Sequence, residues 1–192
     1  MTHAIGFWDV DTQADFMLPG GALYVRDAQK LIPNLRKLTA FAKKRAIPVV
    51  ATGDAHATDD PEFRKFPPHC VKGSAGARKI PQTAFRGQTF LAKQTFDIFD
   101  RPEADAHLAT CGIRDWVVYG VATDYCVRAA VLGLAKRGCR VTVVSDAVQG
   151  IAPDTTARAV REMRAAGAHF RATDAVLARL DKVLKPMEKL AR

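Results

Sequence analysis

The sequence predicts an α/β protein: a doubly wound, mostly parallel six-stranded sheet with helices on both faces. Three observations lead there. Short apolar or β-branched runs alternate with stretches of helical periodicity along the whole of the 192 residues. Glycines close several of the helical stretches, as at Gly112, Gly138 and Gly167. Regular alternation of strand and helix is the pattern that covers both faces of a parallel sheet. With 48% hydrophobic and 26% charged residues the chain is globular, and no repeat or linker divides it, so one domain is expected over 1–192.

Residues 4–10 read as the first strand, with Asp11 at its end. The loop Pro19-Gly20-Gly21 leads to a helix over 27–44, with Asp27 as its N-cap. A short β-branched strand covers 48–52. From Gly53 to Arg86 the chain is polar and aperiodic, with five prolines or glycines between Pro61 and Gly76. Loops of that length are functional or disordered. A strand over 88–92 and a helix over 102–111, closed by Gly112, follow. The second half repeats the alternation: strand 114–120, helix 124–137, strand 140–145, helix 154–166, strand 168–172. Thr173 then caps a final helix over 174–184.

The net charge of +9 raises the question of nucleic acid. Yet the basic residues are scattered, as in Lys43-Lys44-Arg45 and Lys136-Arg137, and no aromatic ladder interleaves them. A basic surface that attracts anions is expected, and no nucleic-acid partner. No apolar run has the length of a membrane span, and Met1-Thr2-His3-Ala4 lacks the pattern of a secretion signal. The four cysteines, at 70, 111, 126 and 139, form no C-x-x-C pair. Reduced thiols in the cytoplasm are the expectation.

Three strand ends carry chemically active residues. Asp11 follows the first strand, Lys93 the 88–92 strand, and Cys126 lies where the 114–120 strand gives way to a helix. A helix N-terminus favours a thiolate and a developing oxyanion. Taken singly, Cys126 reads first as a small, buried, inert residue, Asp11 equally as a turn residue, and Lys93 first as a solvated strand end. In a parallel sheet all three ends share one edge, and together they make chemical sense. The ammonium lowers the thiol pKa, and the carboxylate takes the thiol proton and delivers it to a leaving amine. In the long loop, Asp54, His56 and His69 offer one carboxylate and two imidazoles, which suit a divalent transition metal. By spacing alone they read first as surface loop residues. Cys70 is either a further ligand or a buried apolar residue.

Several motifs in order resemble the nicotinamidase branch of the isochorismatase-like cysteine hydrolases over nearly the whole chain. Asp11-Thr12-Gln13-Ala14-Asp15-Phe16 is similar to that family's opening D-x-Q-x-D-F, and Gly20-Gly21-Ala22-Leu23 to G-G-x-L. Asp54-Ala55-His56 and Pro67-Pro68-His69-Cys70-Val71-Lys72-Gly73-Ser74 resemble its metal-holding segments. Lys93 precedes Phe96-Asp97-Ile98-Phe99 as the family lysine precedes its aromatic loop, and Gly120-Val121-Ala122-Thr123-Asp124-Tyr125-Cys126-Val127 resembles the nucleophile motif.

The resemblance implies hydrolysis of nicotinamide to nicotinate and ammonia through a cysteine thioester, and a part in pyridine nucleotide and NAD salvage. Another small amide or carbamoyl substrate is the alternative. In this reading Cys126 is the nucleophile, Asp11 the general acid/base and Lys93 the stabilising cation. The N–H groups of Ala122 and Cys126 form the oxyanion hole, with a cis peptide between Val121 and Ala122. Phe16, Phe66, Ala122 and Tyr125 bind the substrate. Asp54, His56 and His69 hold a divalent metal, zinc first, with iron or manganese as alternatives. Homo-oligomers are implied. The chain departs from the pattern twice: no histidine stands within residues 57–62, just after His56, leaving Asp60 or a water for that position, and Phe66 stands where Trp is common.

Overall fold

The computed structural model describes residues 5–190, with side chains described through Leu184; Ala4, the expected first strand residue, lies outside them. Six strands form one sheet: β1 (Ile5–Val10), β2 (Val49–Asp54), β3 (Thr89–Lys93), β4 (Asp115–Val121), β5 (Arg140–Gln149) and β6 (His169–Arg171). Their order is β3-β2-β1-β4-β5-β6 and every pair is parallel. The order reverses between β1 and β4, so a crevice opens there at the C-terminal edge, where open α/β sheets bind ligands.

The helices are α1 (Ala14–Met17), α2 (Ile32–Lys44), α3 (Pro102–Cys111), α4 (Arg128–Lys136), α5 (Pro153–Ala165) and α6 (Thr173–Leu190). Successive strand residues face opposite sides, and two cores follow. Phe7, Val49 and Tyr119 pack with Leu35 and Leu38 of α2 and Val176 and Leu180 of α6. Trp8, Val118 and Val143 pack with Ala104 of α3, Leu134 of α4 and Met163 of α5 on the other side. The central strands are thus buried on both faces, which is why they read as continuous apolar runs. No helix among the described residues is long and apolar enough to cross a membrane.

Three expectations need correction. Asp27 does not cap the α-helix: it stands at φ 68 at the N-cap position of a 3₁₀ turn, Ala28–Leu31, its side chain makes no cap bond, and it pairs with Lys30 at 3.1 Å. Thr173 is the first residue of α6 and not the cap before it. Its N–H and hydroxyl both donate to Asp146 Oδ1 at 2.7 Å, so a carboxylate from β5 satisfies that helix terminus. β5 runs to Gln149 instead of ending at 145, because a register shift opposite Val118–Gly120 carries it past the polar Ser145-Asp146.

At Gly120 the backbone has φ 118, and a Cβ there would lie 2.0 Å from the Val10 carbonyl oxygen. β1 and β4 can approach at the crevice only with glycine at this point. Gly120→Ala is expected to destabilise the fold by more than about 2 kcal/mol. Urea denaturation checks this, and a change within about 0.5 kcal/mol, typical of an unconstrained surface site, would contradict it.

Candidate active site

The C-terminal strand ends converge on one ammonium. Asp11 follows β1 in the left-handed region at φ 49, a conformation that Asp tolerates better than most residues. β2 and β3 end in register, Asp54 opposite Lys93. Lys93 Nζ lies 2.8 Å from Asp11 Oδ2, is ion-paired with Asp54, and donates to Cys126 Sγ at 3.5 Å. Thr52 donates to Asp11 Oδ1 at 2.6 Å. All four of Asp11, Asp54, Lys93 and Cys126 are buried. Residues 115 positions apart in sequence, Asp11 and Cys126, are thus brought to one point by strand order alone.

Cys126 lies just ahead of the first turn of α4, near a helix start as expected. It belongs to a π-helical turn, Thr123–Val127, in which Val127 N–H donates to Ala122 O at 3.1 Å, and α4 begins only at Arg128. Such turns recur at functional sites. The Val121–Ala122 peptide just before it is cis. The Asp124 carboxylate accepts the Ile151 N–H at 3.0 Å and bonds the Thr155 hydroxyl, which ties the turn to the loop before α5.

Burial pushes the Asp11 carboxyl above its ordinary range, opposed by Lys93. Burial also pushes the Cys126 thiol up; Lys93 pulls it down, while Asp11 and Asp54 add to the rise. The ammonium thus acts on the thiol in the expected direction, against its burial. Lys93 stays charged, because Asp11, Cys126 and Asp54 together outweigh the desolvation of its ammonium. Asp11 Oδ2 is buried, faces the Lys93 ammonium and lies within hydrogen-bonding reach of the thiol.

A second group adjoins the first through Asp54. Its Oδ2 is 3.7 Å from His56 Nε2 and 3.8 Å from His69 Nε2, and all three donor atoms lie within 4.8 Å of one another. His56 Nδ1 donates to Asp60 Oδ2 at 2.9 Å and His69 Nδ1 to Pro67 O at 2.8 Å. Each ring is held from behind with Nε2 turned inward, the arrangement that metal-binding imidazoles adopt. His56 Nε2 is buried with no hydrogen-bond partner. Burial lowers the His56 pKa, but Asp54 and Asp60 outweigh it and raise it to about 9, so the spot calls for positive charge. An orphaned nitrogen, a second imidazole and a carboxylate fit a divalent transition metal.

Asp60 does not fill the open position. It stands behind His56, with its other oxygen on the Glu62 N–H at 2.9 Å. Glu62 instead faces the group, with Oε1 4.0 Å from His69 Nε2. Sequence reasoning missed it, although an acidic side chain six residues after His56 in the same loop was a usable signal. Cys70 is buried and burial raises its thiol pKa, so it matches the apolar alternative.

A pocket joins the two groups. Asp11 and Cys126 line one part of it, Asp54 and His69 another. The four expected substrate contacts, Phe16, Phe66, Ala122 and Tyr125, all line it, and Leu23, Phe96 and Ile151 join them without having been singled out for it. Phe96 stacks edge-on between Phe66, at 5.9 Å, and Tyr125, at 5.1 Å, and makes an aromatic rim.

The isochorismatase domain model matches residues 9–175. The nicotinamidase of Escherichia coli is 31% identical, over 83% of this chain and 90% of its own. Among solved structures, the pyrazinamidase of Pyrococcus horikoshii in complex with zinc superposes with a TM-score of 0.83 at 31% identity, over 88% of this chain and 99% of that one. The N-carbamoylsarcosine amidase of Thermoplasma acidophilum superposes with a TM-score of 0.78 at 30% identity, over 88% and 96%. With a family match spanning the strand ends and both side-chain groups, the chain belongs to the isochorismatase family.

Proposed function

We propose that this chain is a nicotinamidase that forms a thioester on Cys126. The observation that carries the reading is Lys93, whose ammonium touches Asp11, Asp54 and Cys126 at once and so joins a nucleophile to a ring-binding group. Asp11 takes the Cys126 proton on its carboxylate, and the thiolate attacks the amide carbonyl. The N–H groups of Ala122 and Cys126 receive the oxyanion. Asp11 returns the proton to the leaving amine, ammonia departs, and Asp11 then draws a proton from the water that cleaves the thioester. Phe16, Phe66 and Tyr125 hold the ring and exclude water. Asp54, His56 and His69 would hold a divalent metal, zinc first, with Glu62 facing the same space; when bound, it supplies a Lewis acid for the pyridine nitrogen. The product feeds NAD salvage, and the protein acts in the cytoplasm as a homo-oligomer.

A second reading, a small carbamoyl amide as substrate, is favoured by the likeness to N-carbamoylsarcosine amidase. Ammonia release from nicotinamide and from N-carbamoylsarcosine, with metal-stripped and metal-restored protein, separates the two. Nicotinamide as the better substrate, only in restored protein, supports the first reading; the reverse preference, unaffected by stripping, supports the second. His56→Ala should bind metal at least roughly tenfold more weakly and raise KM for nicotinamide more than it lowers kcat. Elemental analysis with steady-state kinetics checks this, and a fully loaded variant with wild-type KM would contradict it.

A further inference from the structure

Asp15 takes no part in the chemistry above, yet it holds two loops of the site together. Its Oδ2 accepts the Cys70 N–H at 2.7 Å and its Oδ1 the Ala22 N–H at 3.0 Å, while its own N–H donates to Gly76 O at 3.0 Å. A Cβ on Gly76 would lie 2.0 Å from Asp15 Oδ2, so that loop packs directly on the carboxylate. Cys70 follows His69 and has φ 43, the left-handed region that L side chains avoid. Such a conformation persists only when its surroundings over-determine it. Here a carboxylate holds the Cys70 N–H, a charge-assisted bond, and the Cys70 carbonyl accepts the His56 N–H at 3.1 Å. The turn so fixed lays His69 against His56, ring centroids 4.7 Å apart.

We propose that Asp15 is the positioning residue of the metal group: its carboxylate locks Cys70 in the left-handed turn that aims His69 at Asp54 and His56. The inference rests on the metal reading above. No hydrogen bond or ion pair among the described residues links Asp15 to Asp11, Lys93 or Cys126, so its removal acts on metal affinity and leaves the nucleophile alone.

The test is zinc affinity, read by competition with a chromogenic chelator, in three variants. Asp15→Asn replaces one of two acceptors by a donor. Gly76→Ala displaces the carboxylate without altering its charge. Each should weaken zinc binding roughly 10- to 100-fold, while iodoacetamide labels Cys126 of the zinc-free proteins at the wild-type rate. Asp15→Asn combined with Cys70→Gly should recover most of the affinity, because glycine accepts that φ freely. Wild-type affinity in whichever single variant folds would overturn the proposal, and so would failure of Cys70→Gly to restore binding. If neither single variant folds, the double variant decides alone by the same criterion. Absence of zinc binding by the wild-type protein is a different result: it would overturn the metal reading, and this inference with it.

Discussion

Cys126→Ala should lower turnover by roughly 10⁴-fold or more, since no other group in the pocket can form the acyl intermediate. Removing the nucleophile of such a unit leaves only binding and oxyanion stabilisation. The fold should survive. The side chain is small, and Lys93 keeps both of its carboxylate partners when the sulfur is gone. Nicotinamide should therefore still bind with close to wild-type affinity, which separates loss of chemistry from loss of the pocket. Single-turnover kinetics and ligand binding on the same preparation check this. Activity within tenfold of wild type would remove the nucleophile assignment.

Lys93→Met should cost both activity and stability. The ammonium is buried between Asp11 and Asp54, and breaking a buried ion cluster from one side costs about 3–5 kcal/mol. With the cation gone, nothing offsets the burial that raises the Cys126 thiol. Its pKa rises further, so less thiolate exists at any given pH. The pH profile of iodoacetamide labelling should move to higher pH, and kcat should fall by roughly 10³-fold. A superimposable labelling profile, or unchanged stability to urea, would show that Lys93 does not govern the thiol.

What was legible in the sequence was whatever has a local period or a local terminator. Glycine at 112 ends α3 in the left-handed conformation, as expected from its place after a helical run. The buried strands announced themselves because both faces are covered. The long loop was illegible, because long-range partners organise it. Gln13 accepts the Asp54 N–H and donates to the carbonyls of Asp54 and Ala77, which extends β2 two residues past its expected end and fixes the metal group's carboxylate. No pattern within residues 53–86 records that. The π turn at Cys126 was hidden for a different reason. Apolar residues at helical spacing look alike whether the first bond spans four residues or five. Ile151 reaches the pocket through loop geometry that the residue types around it do not specify.

The central claim is a thioester on Cys126, and its most direct test is the partition of product when hydroxylamine competes with water during nicotinamide turnover. An acyl-cysteine is open to either nucleophile. The account predicts nicotinohydroxamate formed at the expense of nicotinate, with ammonia release undiminished, since ammonia leaves before the competition begins. Ammonia release with nicotinate as the sole product at every hydroxylamine concentration would mean that water attacks the amide directly, and would contradict the account.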